Sequence, residues 1–255
     1  MESFDGDKRL LEMRTNLCGY LVFRQLSFLI TPLFAARFSS PTHVTLASLS
    51  VALAMPLVPW FGIPSAFWLV AILSFLSQLL DFVDGDLARV QRSTSAIGKY
   101  LDSFTGIMYW TALYVSVGIM VDADPRSGGI VYGYGLPIGL VTAIVDMLGK
   151  CMRQYVGLNF PSQEGVILGR SIGTKALFLS ALASAIKLNP FLIVVCGLWQ
   201  RLDAALLALL AFSLGAFTYS QLKIFPFLRL TDAKAKVGAS PLAERFPGQE
   251  TTVSA

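Results

Sequence analysis

Several apolar runs of about 20 residues, each crossed by few charges, constrain this chain more than any other feature. A helix of that length matches the hydrocarbon thickness of a bilayer. In lipid, every backbone N–H and C=O must be satisfied within the segment, so each run is expected to be a helix. The composition agrees: 55% of the residues are hydrophobic and 14% charged, where an average soluble domain is about a quarter charged. The expected fold class is all-α, an integral membrane bundle of six transmembrane helices with an N-terminal amphipathic interfacial helix.

The spans are expected at 42–61, 65–88, 100–121 and 129–149, with a fifth from near Ser171 and a sixth over 203–222. Lys187-Leu188-Asn189-Pro190 reads as a kink in the fifth span or as its exit. Residues 7–38 begin with mixed charges and turn apolar, interrupted by Arg24, Pro32 and Arg37. They are expected to lie at the membrane surface, with the arginines snorkelling to head groups. Three segments follow: 1–38 juxtamembrane, 39–224 the membrane domain, and 225–255 a basic cytoplasmic tail expected to be disordered. Met1–Arg14 lack the short apolar core of a signal peptide. Cys18, Cys151 and Cys196 are scattered and odd in number, which suggests neither a disulfide framework nor a thiolate metal site.

Charge sets the expected orientation. Lys and Arg crowd the N-terminus, the break at 89–99, the 150–175 region and the tail. The opposite loops, near 62–65, 122–128 and 199–203, carry only Arg126 and Arg201. The positive-inside rule then places both termini on the cytoplasmic side.

Against this background stand three carboxylates, Asp81, Asp84 and Asp102. Asp81 and Asp84 are three apart and share a helical face. Asp102 follows a basic break and comes from the start of the next helix. Charges at membrane depth are costly and mark function. Three together repel one another unless a cation sits between them, and oxygen ligands suit a hard divalent ion, Mg²⁺, Mn²⁺ or Ca²⁺. Asp86 lies about 200° from Asp84 around a helix and is expected at the interface rather than among the ligands.

The segment from Asp81 to Gly106 resembles the signature of the CDP-alcohol phosphotransferases, D-x2-D-G-x2-A-R-x8-G-x3-D-x3-D. Asp81, Asp84, Gly85, Ala88, Arg89, Gly98 and Asp102 fall at its spacings; the eighth position, the family's last Asp and proposed general base, is Gly106. Pro41-Thr42-His43-Val44-Thr45 is similar to the family's P-N-x-[LV]-T start of its first span.

The resemblance implies metal-dependent transfer of a substituted phosphoryl group from a CDP-linked donor at the cytoplasmic face, in phospholipid or related head-group synthesis. The acceptor would be an alcohol or an anion such as phosphate. It assigns Mg²⁺ or Mn²⁺ to Asp81, Asp84 and Asp102. Nucleotide contacts fall to Asp81, Asp84, Gly85, Ala88, Arg89 and Gly98, with Gly98 also allowing close approach of the second and third spans. Lys150, Arg153, Arg170 and Lys175 are candidates for an acceptor or lipid phosphate. The implied partners are the CDP-linked donor, a lipid or small-molecule acceptor, membrane lipid and a second copy in a homodimer, with no nucleic acid.

Gly106 leaves three readings. Another group, His43, Asp146 or a metal-bound water, replaces the base; or the acceptor is already ionised and needs none; or transfer is lost and the protein is a catalytically silent binder of CDP-alcohol and metal.

Overall fold

A computed structural model describes residues 17–37, 40–91, 95–160 and 184–238. Every regular element among them is helical. The long helices are α1 (Gln25–Arg37), which continues a π-helical turn Tyr20–Arg24, then α2 (Pro41–Ala54), α3 (Ala66–Val90) and α4 (Ala96–Ala123). They are followed by α5 (Gly135–Asn159), α6 (Asn189–Leu198) and α7 (Leu202–Gly238).

The helix starts are written locally. Ser40 caps α2, its Oγ accepting from the Thr42 N–H at 3.3 Å with Pro41 in the first turn. Ser95 caps α4 through the Gly98 N–H at 2.9 Å. Asp122, at the end of α4, accepts from the N–H groups of Gly135 and Leu136, both at 2.8 Å. A carboxylate thus satisfies donors that the first turn of α5 cannot.

Among the described residues, six helical segments are long and apolar enough to cross a membrane: Leu17–Ala36, Pro41–Trp60, Ala66–Val90, Ala96–Ala123, Gly135–Asn159 and Leu202–Thr231. The count of six agrees with expectation, but its membership differs. The N-terminal segment is one of the six, and no amphipathic face is evident in its helix. Arg24 does not snorkel: it is buried, and its guanidinium meets the Asp86 carboxylate at 3.0 Å. Pro32 lies within α1 without ending it.

The expected start of the fifth span near Ser171, with Arg170 and Lys175, lies outside the described residues. What is described of it is a 3₁₀ turn, Ile186–Leu188, leading into the ten-residue α6. So Lys187-Leu188-Asn189-Pro190 is the start of a short helix. The sixth expected span does not stop near 222: α7 is helical through Gly238, with Pro226 inside it. The proposed tail from 225 is therefore helical as far as it is described.

The spans alternate in direction, which gathers the end of α3 and the starts of α2 and α4 at one edge. Exposed Trp60, Phe61, Tyr134 and Trp199 ring the opposite edge, as aromatic side chains do at a membrane–water boundary. Between the edges, one apolar cluster packs residues such as Ala52, Val70, Leu113, Tyr114, Ala143, Ile193 and Leu206 from the six helices α2 to α7.

Helices α4 and α5 make the closest approach. A Cβ added to Gly118 would lie 2.6 Å from the Gly135 carbonyl oxygen, and one added to Gly139 would lie 2.5 Å from that of Tyr114. Glycine is required at these positions because backbone meets backbone, the usual means of joining helices in lipid.

Candidate metal and phosphoryl-transfer site

Helices α3 and α4 carry the three carboxylates to a common point. One oxygen from each of Asp81, Asp84 and Asp102 lies within 4.8 Å of the others. Asp84 is buried, Asp81 half-buried and Asp102 exposed, so the cluster opens at the edge of the bundle. The donors are all hard oxygens from two rigid helices, and their separation lets one divalent ion touch all three. Three carboxylates this close are strongly repulsive without a cation. The residues present therefore fit Mg²⁺ or Mn²⁺.

Thr45 was not singled out from the sequence, although it closes the P-T-H-V-T stretch at the start of α2. Its hydroxyl donates to Asp84 Oδ2 at 2.6 Å, fixing the carboxylate from a third helix. Such outer hydrogen bonds orient metal ligands and tune their affinity.

The rest of the resemblance falls into place unevenly. Gly85 and Ala88 are partly exposed on α3 beside the cluster. A Cβ on Gly85 would meet only the Arg89 guanidinium, at 3.4 Å. Arg89 is half-exposed and its NH2 lies 2.8 Å from Asp86 Oδ1. Gly98 does not mediate an approach of α3 and α4. Among the described residues only the capping Ser95 hydroxyl lies within 4 Å of a Cβ built there, because Gly98 sits in the first turn of α4.

Asp86 is outside the carboxylate cluster, as its angular position indicated, but it is buried rather than interfacial. It accepts from Ser27 and pairs with Arg24 and Arg89. Asp86 therefore ties the N-terminal helix to α3 just behind the site.

Of the two candidate bases, His43 is exposed on α2. Asp146 is held by Lys150 at 2.8 Å on α5, and the Lys150 Nζ lies 3.5 Å from the Gly106 carbonyl oxygen and 5.2 Å from the Trp110 ring centre. Arg153, one turn on, donates to Ser220 of α7 at 3.0 Å. Lys150 and Arg153 thus face inwards between α4, α5 and α7.

The residue that sequence reasoning missed most completely is Lys187. It is partly buried, its Nζ 5.0 Å from the centre of the Phe82 ring, close enough for its charge to act on Asp81 and Asp102. It lines a cavity of about 70 Å³ with Asp81, Gln78, Thr105, Gly106 and Trp110. No atom of the described residues lies within 4 Å of a Cβ built on Gly106, so among them the position of the absent carboxylate is open space. A turn-by-turn reading would have found part of this wall: Ser77 and Gln78 precede Asp81 by one turn, and Thr105 and Gly106 follow Asp102 by one.

No curated protein and no solved structure matches the chain. A family model does, over residues 38–145, which include all three clustered carboxylates, Thr45 and Gly106. That model is the CDP-alcohol phosphatidyltransferase family's, and the chain is similar to it over this segment.

Proposed function

We propose that this protein transfers a substituted phosphoryl group from a CDP-linked donor to an acceptor, using a divalent metal at the cytoplasmic edge of the membrane. The match to the CDP-alcohol phosphatidyltransferase model supports transfer from a CDP-alcohol. The observation that carries the metal-dependent reading is the meeting of Asp81, Asp84 and Asp102 oxygens within 4.8 Å of one another.

In this reading Asp81, Asp84 and Asp102 hold Mg²⁺ or Mn²⁺, which when bound acts as Lewis acid and template for a diphosphate. Thr45 keeps Asp84 turned towards the ion. Gly85 and Ala88 leave the flank of α3 low enough for the nucleotide to approach, and Arg89 offers its guanidinium to donor phosphate. Lys150 and Arg153 supply positive charge on the α5 side for an anionic head group. The excess of Lys and Arg at this edge favours a cytoplasmic site, where nucleotide-activated substrates are found. The open lateral surface, with Leu29, Leu33 and Leu158 exposed, fits a lipid-soluble substrate arriving from the bilayer.

The test is CMP release by purified protein in lipid, supplied with CDP-linked donors, Mg²⁺ or Mn²⁺, and pooled alcohol and phosphate acceptors. Release should disappear in Asp81→Asn. Nucleotide and metal binding without release from any donor would instead indicate a silent binder.

A further inference from the structure

The cavity at Gly106 contains more than the loss of a carboxylate. It sits one helical turn deeper than the carboxylate cluster, walled by α2, α3, α4 and the turn before α6. Gln78 and Thr105 both line it and are 7% and 2% exposed. The Gln78 Nε2 and the Thr105 Oγ1 are buried without a hydrogen-bond partner among the described residues. Unmatched polar atoms at this depth are expensive, and native proteins keep few of them without a use.

The neighbouring polar groups are already engaged. Ser48 and Ser77 bond to each other and to each other's carbonyls. The Tyr109 hydroxyl is bonded to Ser74 and Asn189 at 2.7 and 3.0 Å and is a polar neighbour that the Gln78 amide can reach, although the two do not form a well-aligned hydrogen bond. What remains is one amide N–H₂, one hydroxyl and the Lys187 ammonium, all of which can donate, together with the Asp81 carboxylate at the mouth shared with the metal cluster, whose charge a bound divalent ion would offset.

A donor set of this kind selects an oxyanion. A volume of about 70 Å³ holds roughly five water-sized groups, enough for the five heavy atoms of a phosphate. An aspartate at position 106 would project a carboxylate into the same space and repel such an anion.

We propose that this cavity seats a tetrahedral oxyanion carried by the acceptor, a phosphate monoester in type, and that this oxyanion is itself the nucleophile. The inference rests on the transferase reading and narrows it to a substrate class. The acceptor's P–O⁻ oxygen bonds to the donor's β-phosphorus, and the bond from that phosphorus to the bridging oxygen breaks. The electron pair leaves on the phosphate of CMP. No proton moves, so no general base is needed, and the product is a substituted diphosphate. Gly106 and Lys187 are then two parts of one change: a base is absent, and the space and charge for a pre-ionised acceptor are present.

Two measurements test this on the full-length protein in lipid nanodiscs. The first is equilibrium binding of radiolabelled inorganic phosphate, alongside Mn²⁺ binding by electron paramagnetic resonance. Phosphate should bind the wild type and bind about tenfold or more weakly in Lys187→Met, Thr105→Val, Gln78→Leu and Gly106→Asp. Lys187→Arg should restore much of the loss, and Mn²⁺ binding should persist in Thr105→Val and Gln78→Leu.

The second is CMP release with methyl phosphate or with dioleoyl phosphatidate in a phosphatidylcholine bilayer, acceptors that have no hydroxyl group. Release with the first identifies a soluble source and with the second a lipid source; either supports the inference. Phosphate binding that ignores all four substitutions overturns the oxyanion seat. Release with neutral alcohols alone overturns the oxyanion nucleophile and leaves the transferase reading standing. Phosphate binding with no release from any donor and acceptor pair overturns both the nucleophile and the transferase reading.

Discussion

Replacing Asp86 by alanine should destabilise the protein far more than replacing any exposed charge, while leaving metal affinity intact. Asp86 is 5% exposed and Arg24 8%. Their 3.0 Å contact joins the N-terminal helix to α3, and Ser27 donates to the other carboxylate oxygen. The Asp86→Ala change would leave a guanidinium in a buried position with its carboxylate partner gone. The cost of breaking one side of such a pair is about 3–5 kcal/mol. The Arg89 contact adds little, because that guanidinium is half-exposed and screened. For a chain of this size each kcal/mol moves the melting midpoint by a few degrees, so a fall of roughly 6–20 °C is expected.

The assay is thermal unfolding followed by circular dichroism in a fixed lipid, with Mn²⁺ affinity measured below the transition. The double variant Arg24→Leu with Asp86→Leu should recover most of the loss, since apolar groups of similar volume can replace a buried pair. A shift of less than about 2 °C in Asp86→Ala would refute the reasoning. So would an equal fall in Mn²⁺ affinity, which would make Asp86 part of the metal site.

Two further predictions concern the packing around the carboxylates. Thr45→Val removes the 2.6 Å hydrogen bond to Asp84 without changing side-chain volume much. It should weaken Mn²⁺ binding about 10–100-fold, measurable by titration, with little change in melting temperature. Gly139→Ala brings a methyl to 2.5 Å from the Tyr114 carbonyl oxygen, where backbone must give way. It should lower stability by about 1–3 kcal/mol, whereas Gly106→Ala, which meets nothing within 4 Å, should be nearly silent in the same melting experiment.

The sequence exposed whatever depended on local periodicity. Asp81 and Asp84 share a helical face by spacing alone, and Ser40 and Ser95 show where α2 and α4 begin. The N-terminal helix is harder to place from sequence, for a physical reason. A mid-run arginine and a proline count against a span when their surroundings are unknown. Here Arg24 is neutralised by Asp86, a residue 62 positions away, and α1 continues through Pro32. Lys187 was invisible for the same kind of reason. In the linear chain it is a basic residue before Asn-Pro, ordinary at a helix boundary, and only the folding of α6 against α3 brings it to Asp81. Gly106 could be read as a missing carboxylate. The unmatched donors that surround it could not, because whether Gln78 and Thr105 find partners is decided by neighbouring helices.

The most direct test of the account is a Mn²⁺ titration in which bound metal and CMP release are measured on the same wild-type sample in lipid, and repeated with Asp84→Asn. Release should rise in step with occupancy of the carboxylate site, and Asp84→Asn should lose both. Release that continues in metal-stripped protein, or that survives in Asp84→Asn with the metal lost, would contradict it.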